Sequence, residues 1–256
     1  MSSSISDSWE QGSPYERYMG RWSRRIAPAF LAWLDLPAGY RWVDVGCGTG
    51  VLCAAIIDHC APKEVIGVDP SSGFLEVAAK NLRGQATLHV GYASSLPLGD
   101  AVADAVVSGL MLNFVPDLDA GLREMKRITA PGGTVAAYVW DYADKMELLR
   151  HFWDVAVSLD PSAGALHEGA RFPICNPDAL QAAFMNVALA QVEVTALDIT
   201  TVFVDFDDYW QPFLGGQGPA PAYTMALEEE PRLRLREALR VKLPRTADGT
   251  IPLTAR

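Results

Sequence analysis

Two carboxylates and three glycines follow one another here in an order that could hold a nucleoside. Asp44 stands just before Gly46, and Gly46, Gly48 and Gly50 alternate with Cys47 and Thr49. Glycines remove the side chains that keep a ligand away from backbone N–H groups. Asp69 closes the next apolar run, Glu64-Val65-Ile66-Gly67-Val68-Asp69. A carboxylate roughly 20 residues beyond such a turn is placed to meet a ribose.

The details of the turn narrow the nucleoside. A dinucleotide site wants G-x-G-x-x-G, whose third glycine lets helix and strand approach closely. Here the spacing is G-x-G-x-G, and Val51 stands where that third glycine belongs. Asp44 would repel a pyrophosphate and attract an ammonium group. Both points disfavour an NAD-dependent oxidoreductase. Both favour S-adenosylmethionine, which carries an α-amino group, a sulfonium and a ribose but no phosphate.

The elements that must position these residues alternate. Residues 41–45 and 64–69 read as buried parallel strands, apolar without clean alternation. Between them Val51 to His59 is a helix, apolar nearly all round. A helix follows Pro70-Ser71-Ser72-Gly73, then come a strand at 86–91, a loop to Asp100 and a strand from Asp104 to Leu112. Asp117 to Ile128 is amphipathic, with Leu118, Leu122, Met125 and Ile128 on one face. Pro131-Gly132-Gly133 is a tight turn into a fifth strand, Thr134 to Trp140. Alternation of this kind predicts a parallel sheet with helices on both faces. Ahead of it, Ile26, Phe30, Leu31 and Leu34 predict a helix over about 23–36. After Asp141 the rhythm breaks. A helix is expected over 144–157, a long bending strand over 191–206, a charged helix over 232–243 and a last strand over 249–256.

Composition bounds the partners. The chain has 256 residues, 50% hydrophobic, with a net charge of −10. That suits one large domain with an elaborated cap. An acidic surface makes nucleic acid a poor partner. The N-terminus lacks the basic and apolar regions of a secretory signal, and no apolar run is long enough to span a bilayer. A cytoplasmic location with no membrane partner is expected. Cys47, Cys53, Cys60 and Cys175 form no C-x-x-C pair, so reduced thiols are expected and no metal site. His59, His89, His151 and His167 have no ligand spacing.

Taken together, Asp44-Val45-Gly46-Cys47-Gly48-Thr49-Gly50, Asp69, Leu112-Asn113-Phe114-Val115-Pro116-Asp117, Arg123-Glu124-Met125-Lys126-Arg127-Ile128 and Pro131-Gly132-Gly133-Thr134 resemble a class I S-adenosylmethionine-dependent methyltransferase. The resemblance is to the small-molecule group that includes the quinone-biosynthesis C-methyltransferases, and covers about residues 40–141. It implies an α/β fold: a Rossmann-like, doubly wound, mostly parallel seven-stranded sheet with its last strand antiparallel. It divides the chain into an N-terminal lid and helix (1–39), a donor-binding core (40–142), and cap insertions with the final strands (143–256), all in one compact domain. It implies that Gly46, Gly48 and Gly50, with Cys47 among them, line the methionine and ribose portion of the donor. Asp44 orients the methionine end, Asp69 accepts from the ribose hydroxyls, and Pro70 flanks the adenosine. Leu110 to Asn113 pass beside the transferable methyl. The family often has an acid contacting adenine after the glycine of the third strand. Here that position is Tyr92, followed by Ala93, and the charge-assisted contact is lost.

Methyl transfer from a sulfonium is an in-line displacement, so the protein mainly positions the acceptor and excludes water. Asp141, Tyr142 and His151 are the candidate catalytic groups. Arg21 could pair with the donor carboxylate or an anionic acceptor. Tyr15, Tyr18, Trp22, Phe152, Trp153, Tyr209 and Trp210 are candidates for the acceptor pocket, with plain core packing as the alternative for each. Together they suggest a small apolar or aromatic acceptor. A non-catalytic adenosyl-ligand binder is the competing reading, supported by Tyr92.

Overall fold

The computed structural model describes residues 20–215 and 218–256. In chain order the elements are α1 (Arg21–Leu34), β1 (Arg41–Val45), α2 (Val51–Cys60), β2 (Glu64–Asp69), α3 (Ser72–Leu82), β3 (Thr87–Val90), β4 (Ala103–Gly109), α4 (Leu118–Ile128), β5 (Thr129–Tyr138), α5 (Glu147–Leu159), α6 (Glu168–Arg171), α7 (Pro177–Asn186), β6 (Ile199–Phe203), α8 (Phe206–Trp210), α9 (Pro219–Ala226), α10 (Glu229–Lys242) and β7 (Ile251–Ala255). Short 3-10 turns cover Leu112–Phe114, Pro161–Leu166 and Gln211–Leu214. They fall into two compact units. One joins Ser23–Val139 with Asn176–Leu197; the other joins residues 20–22, Trp140–Cys175 and Asp198–Arg256. Residues 176–197 therefore group with the core rather than with the segments that follow it.

The first unit holds a five-stranded sheet in the order β3-β2-β1-β4-β5, all parallel. The strand order reverses between β1 and β4, and ligands of open α/β sheets bind outside the carboxyl ends of strands at such a point. Helices α1, α2 and α3 cover one face. Phe30, Trp42, Leu52, Cys53, Ile56, Leu75, Ala78 and Leu82 form its core with Ala105 and Val107. Helix α4 packs on β4 and β5 and buries Leu122, Met125 and Ile128 completely. Local sequence sets the helix starts. Ser71 accepts from the Phe74 N–H at 3.2 Å, and Asp117 accepts from the Ala120 N–H at 2.9 Å, each satisfying an otherwise orphaned donor.

The expected seven-stranded sheet is corrected to this five-stranded one plus a separate antiparallel pair, β6 with β7. Residues 191–198 form no ladder, so the long strand expected over 191–206 shrinks to Ile199–Phe203. That short pair alternates, burying Thr201, Phe203, Ile251, Leu253 and Ala255. Strand β5 starts earlier than expected. Thr129 pairs with Ala103 and Thr134 with Ala105, so Pro131-Gly132-Gly133 is looped out inside the strand. Gly132 takes a φ of 79° there, which glycine alone adopts freely.

Candidate functional site

The turn after β1 is built from left-handed glycines, with φ of 74° at Gly46, 53° at Gly48 and 85° at Gly50. The N–H groups of Gly46 and Cys47 both donate to the Val68 carbonyl, at 2.7 and 3.1 Å, which ties the turn to β2. The Asn81 amide on α3 donates to the Thr49 carbonyl at 2.9 Å. Asp69 closes the frame. Its Oδ2 accepts from the Gly48 N–H at 2.9 Å and its Oδ1 from the Ser71 N–H at 2.8 Å. Burial pushes the Asp69 carboxyl up, and these two bonds oppose that shift. Asp69 is thus a cap at the strand end, and each of its oxygens keeps a lone pair for a ligand hydroxyl.

Asp44 lies deeper, 1% exposed. Its Oδ2 accepts from the Cys53 thiol at 3.3 Å, and its Oδ1 has no hydrogen-bond partner. Burial pushes this carboxyl up to about 7, with the Cys53 hydrogen bond pulling the other way. The Cys53 thiol, in turn, is pushed well up by its hydrogen bonding with Cys47, by burial and by the Asp44 charge. An isolated buried carboxylate is costly, and a cation is what would compensate it.

Strand β4 ends beside this turn. Leu110 has a φ of 60°, unusual for a branched residue, and its N–H donates to the Tyr138 carbonyl at 2.8 Å. The kink lays the Met111 side chain over Gly46. A Cβ added to Gly46 would lie 2.3 Å from Met111 Cγ. We expect Gly46→Ala to lower unfolding stability by about 2–3 kcal/mol, from left-handed backbone strain and overpacking together. Equilibrium denaturation checks it; a variant within about 0.5 kcal/mol of the parent would contradict this packing.

On the other side of the turn, Gly91 donates its N–H to the Asp69 carbonyl at 3.2 Å. Tyr92 follows, 68% exposed, and Ala93 is half-buried. Arg127 pins the loop beyond, donating to the Leu98 carbonyl at 3.0 Å while pairing with Glu124 and Asp100. Glu124 accepts the Leu96 N–H at 2.8 Å. Asn113 carries a buried Nδ2 without a partner, and Pro70 is exposed. The first unit thus contains Asp44, Gly46, Cys47, Gly48, Gly50, Asp69, Pro70, Tyr92, Ala93, Leu110 and Asn113, and hydrogen bonds tie the turn to β2 and to Asp69. Sequence reasoning missed Cys53, and it included Met111 only within the run from Leu110 to Asn113, without its contact with Gly46. Nothing in their spacing announces a contact with Asp44 or Gly46.

The remaining candidates belong to the second unit, apart from Tyr15 and Tyr18, which lie outside the described residues. Phe152, Trp153 and Tyr209 are fully buried, and Trp22 and Trp210 nearly so. They form its aromatic interior: Phe152 stacks on Phe213 at 4.5 Å, and Trp22 meets Phe203 edge-on at 5.3 Å. The Trp153 indole donates to Glu168, and the Tyr209 hydroxyl donates to the Leu148 carbonyl at 2.9 Å. Arg21 is held by Asp208 at 2.9 Å, with its guanidinium 4.3 Å from the Trp22 ring centre and 4.5 Å from that of Phe203. Its Nε and Nη2 have no hydrogen-bond partner. Asp141 accepts the Asp144 N–H at 3.1 Å as a turn cap, and Tyr142 is buried against Phe172 at 5.9 Å. His151 has a buried Nδ1 without a partner, and burial pulls its pKa down.

Comparison with known proteins places the first unit. Residues 43–137 match the family model described as a methyltransferase domain. Demethylmenaquinone methyltransferase of Lactobacillus johnsonii is 38% identical over 112 residues, which is 41% of this chain and 46% of the relative. The chain thus spans about half the length of the curated relatives it matches. A putative methyltransferase from Bacillus halodurans shares the fold with a TM-score of 0.58, at 15% identity over 89% of this chain and 94% of that one. The [4+2]-cyclase SpnF also shares it, with a TM-score of 0.53 at 17% identity over 91% of this chain and 80% of that one. The fold is the Rossmann-like α/β fold of methyltransferases. Residues 43–137 thus resemble a methyltransferase domain, the similarity that the class I, S-adenosylmethionine-dependent pattern of the sequence led one to expect.

Proposed function

We propose that the protein transfers the methyl group of S-adenosylmethionine to a small apolar or aromatic acceptor. The observation that carries this reading is Asp44 Oδ1: a buried carboxylate oxygen without a partner, beneath a turn of left-handed glycines. That arrangement fits an ammonium-bearing nucleoside. Asp44 would hold the α-amino group, Gly46 to Gly50 would carry the methionine and ribose portion, and Asp69 would accept from the ribose. Pro70, Tyr92 and Ala93 would flank the adenine. The donor supplies an already activated methyl. The bond from methyl carbon to sulfur breaks as the bond to the acceptor forms, and the electron pair stays on sulfur. The protein's task is alignment and exclusion of water.

The acceptor class is supported by the Lactobacillus johnsonii relative, whose name is demethylmenaquinone methyltransferase, and by the abundance of aromatic side chains after the fifth strand. Among the described residues no helix is long and apolar enough to cross a membrane. A cytoplasmic enzyme acting on small molecules is the matching proposal.

Tyr92 keeps a second reading alive, that of a non-catalytic adenosyl-ligand binder. Its phenol is exposed where an acid often contacts adenine, and SpnF shows that this fold also serves a cyclase. Labelled donor, turned over against a panel of phenols, quinols and aromatic amines, separates the two. Label is expected in at least one aromatic product. Tight donor binding without transfer across the panel would favour the binder instead.

A further inference from the structure

We propose that Met111 sets the size of the sulfonium substituent that the donor site accepts, fitting it to a methyl group and against larger S-alkyl donors. The inference rests on the donor reading above and deepens it. Gly109 ends β4, and Leu110 then takes a φ of 60°. Such strain persists only where the surroundings over-determine it. Here they do so from both sides. Leu110 donates its N–H to the Tyr138 carbonyl at 2.8 Å, and the Phe114 N–H donates to the Met111 carbonyl at 2.8 Å. The Met111 backbone is therefore fixed, and its side chain is aimed.

It is aimed at Gly46. A Cβ added there would lie 2.3 Å from Met111 Cγ, 2.9 Å from its Cβ and 3.0 Å from its Cε. The whole side chain runs across the first glycine of the turn. Asp44, with its unpartnered Oδ1, stands just before that glycine in the chain. A donor whose ammonium meets Asp44 has its sulfur only a short carbon chain away. On that reading the sulfur would lie near the glycine surface that Met111 covers. A thioether side chain is flexible and polarisable, so it can adjust around a small group while still filling the space that a larger one would need. One added methylene in an apolar pocket discriminates by about 10- to 200-fold.

Calorimetry on the full chain tests this with S-adenosylmethionine, its S-propargyl analogue and S-adenosylhomocysteine. The parent is expected to bind the methyl donor at least about 10-fold tighter than the propargyl analogue. Met111→Ala should shrink that ratio to below about threefold, while Met111→Leu, of similar bulk, should keep it. Should Met111→Ala fail to melt cooperatively, Met111→Val is judged by the same ratio. A ratio unchanged in the smaller variants, or equal weakening of all three ligands, overturns the proposal. A parent that binds none of the three overturns the donor reading and this inference with it. That result is distinct from a parent that binds the donors with a ratio indifferent to residue 111.

Discussion

Asp69→Ala should lower donor affinity by about three orders of magnitude in calorimetry. Hydrogen bonds to a charged group contribute about 1.5–3 kcal/mol each, and a ribose offers two hydroxyls to this carboxylate. The variant also strips the acceptors from the Gly48 and Ser71 N–H groups. Leaving those donors without partners should cost about 1–3 kcal/mol of stability and loosen the turn. Asp69→Asn, which keeps an acceptor and the shape, should fall between parent and alanine. Adenosine alone should lose affinity alongside the full donor, because the ribose is common to both. Donor affinity that survives Asp69→Ala would mean that this carboxylate serves only as a strand-end cap.

The second large effect is at Asp44, and it has opposite signs in the free and bound protein. Burial holds this carboxyl at about 7, against an ordinary 3.8. The folded group therefore keeps its proton longer than the unfolded one. Its contribution to stability is fully present below about pH 4, declines as pH rises towards 7 and is flat above. Asp44→Asn removes that decline, so the ligand-free variant should melt higher than the parent at pH 8. An ammonium-bearing donor needs the ionised form. Parent affinity should rise roughly 15-fold between pH 5.5 and 7 and level off above about pH 8, while the variant stays flat. At pH 7.5 the variant should bind the donor about 100-fold more weakly, in line with the loss of one partner from a buried ion pair. Adenosine, which lacks the ammonium, should bind both proteins alike. A variant with a pH-dependent donor affinity like the parent's would remove Asp44 from the site.

The two carboxylates also mark what the sequence could convey. Asp44, the glycines and Asp69 are local signals, because strand, turn and helix succeed one another within a few dozen residues. The parallel sheet through β5 followed from the same rhythm of short apolar runs and amphipathic helices. What lay beyond depended on distant partners. Ile199–Phe203 pairs with Ile251–Ala255, some fifty residues on, and nothing in either strand names the other. The eight residues before β6 look β-prone, yet they find no ladder. Phe152, Trp153 and Tyr209 were ambiguous for a chemical reason. Core packing and recognition of an aromatic ligand call on the same side chains. The contact between Cys53 and Asp44 depends on the rotational phase of α2, and the left-handed Leu110 carries no glycine to announce it.

The return of residues 176–197 to the first unit bears on how the chain is made. Helix α7 packs against α4, and the Lys126 ammonium donates to the Val187 and Ala188 carbonyls, each at 2.8 Å. Leu197 packs on the same apolar cluster as Phe30 and Trp42. A ribosome that has released β5 has therefore not yet released everything that this unit buries. Contacts across so wide a sequence gap form late, since the intervening loop must first be closed. During synthesis, part of the apolar surface destined for α7 and Leu197 waits uncovered, which is the condition that recruits chaperones and promotes aggregation. A gene fragment cut after β5 keeps every motif of the donor turn and lacks the piece that completes its unit.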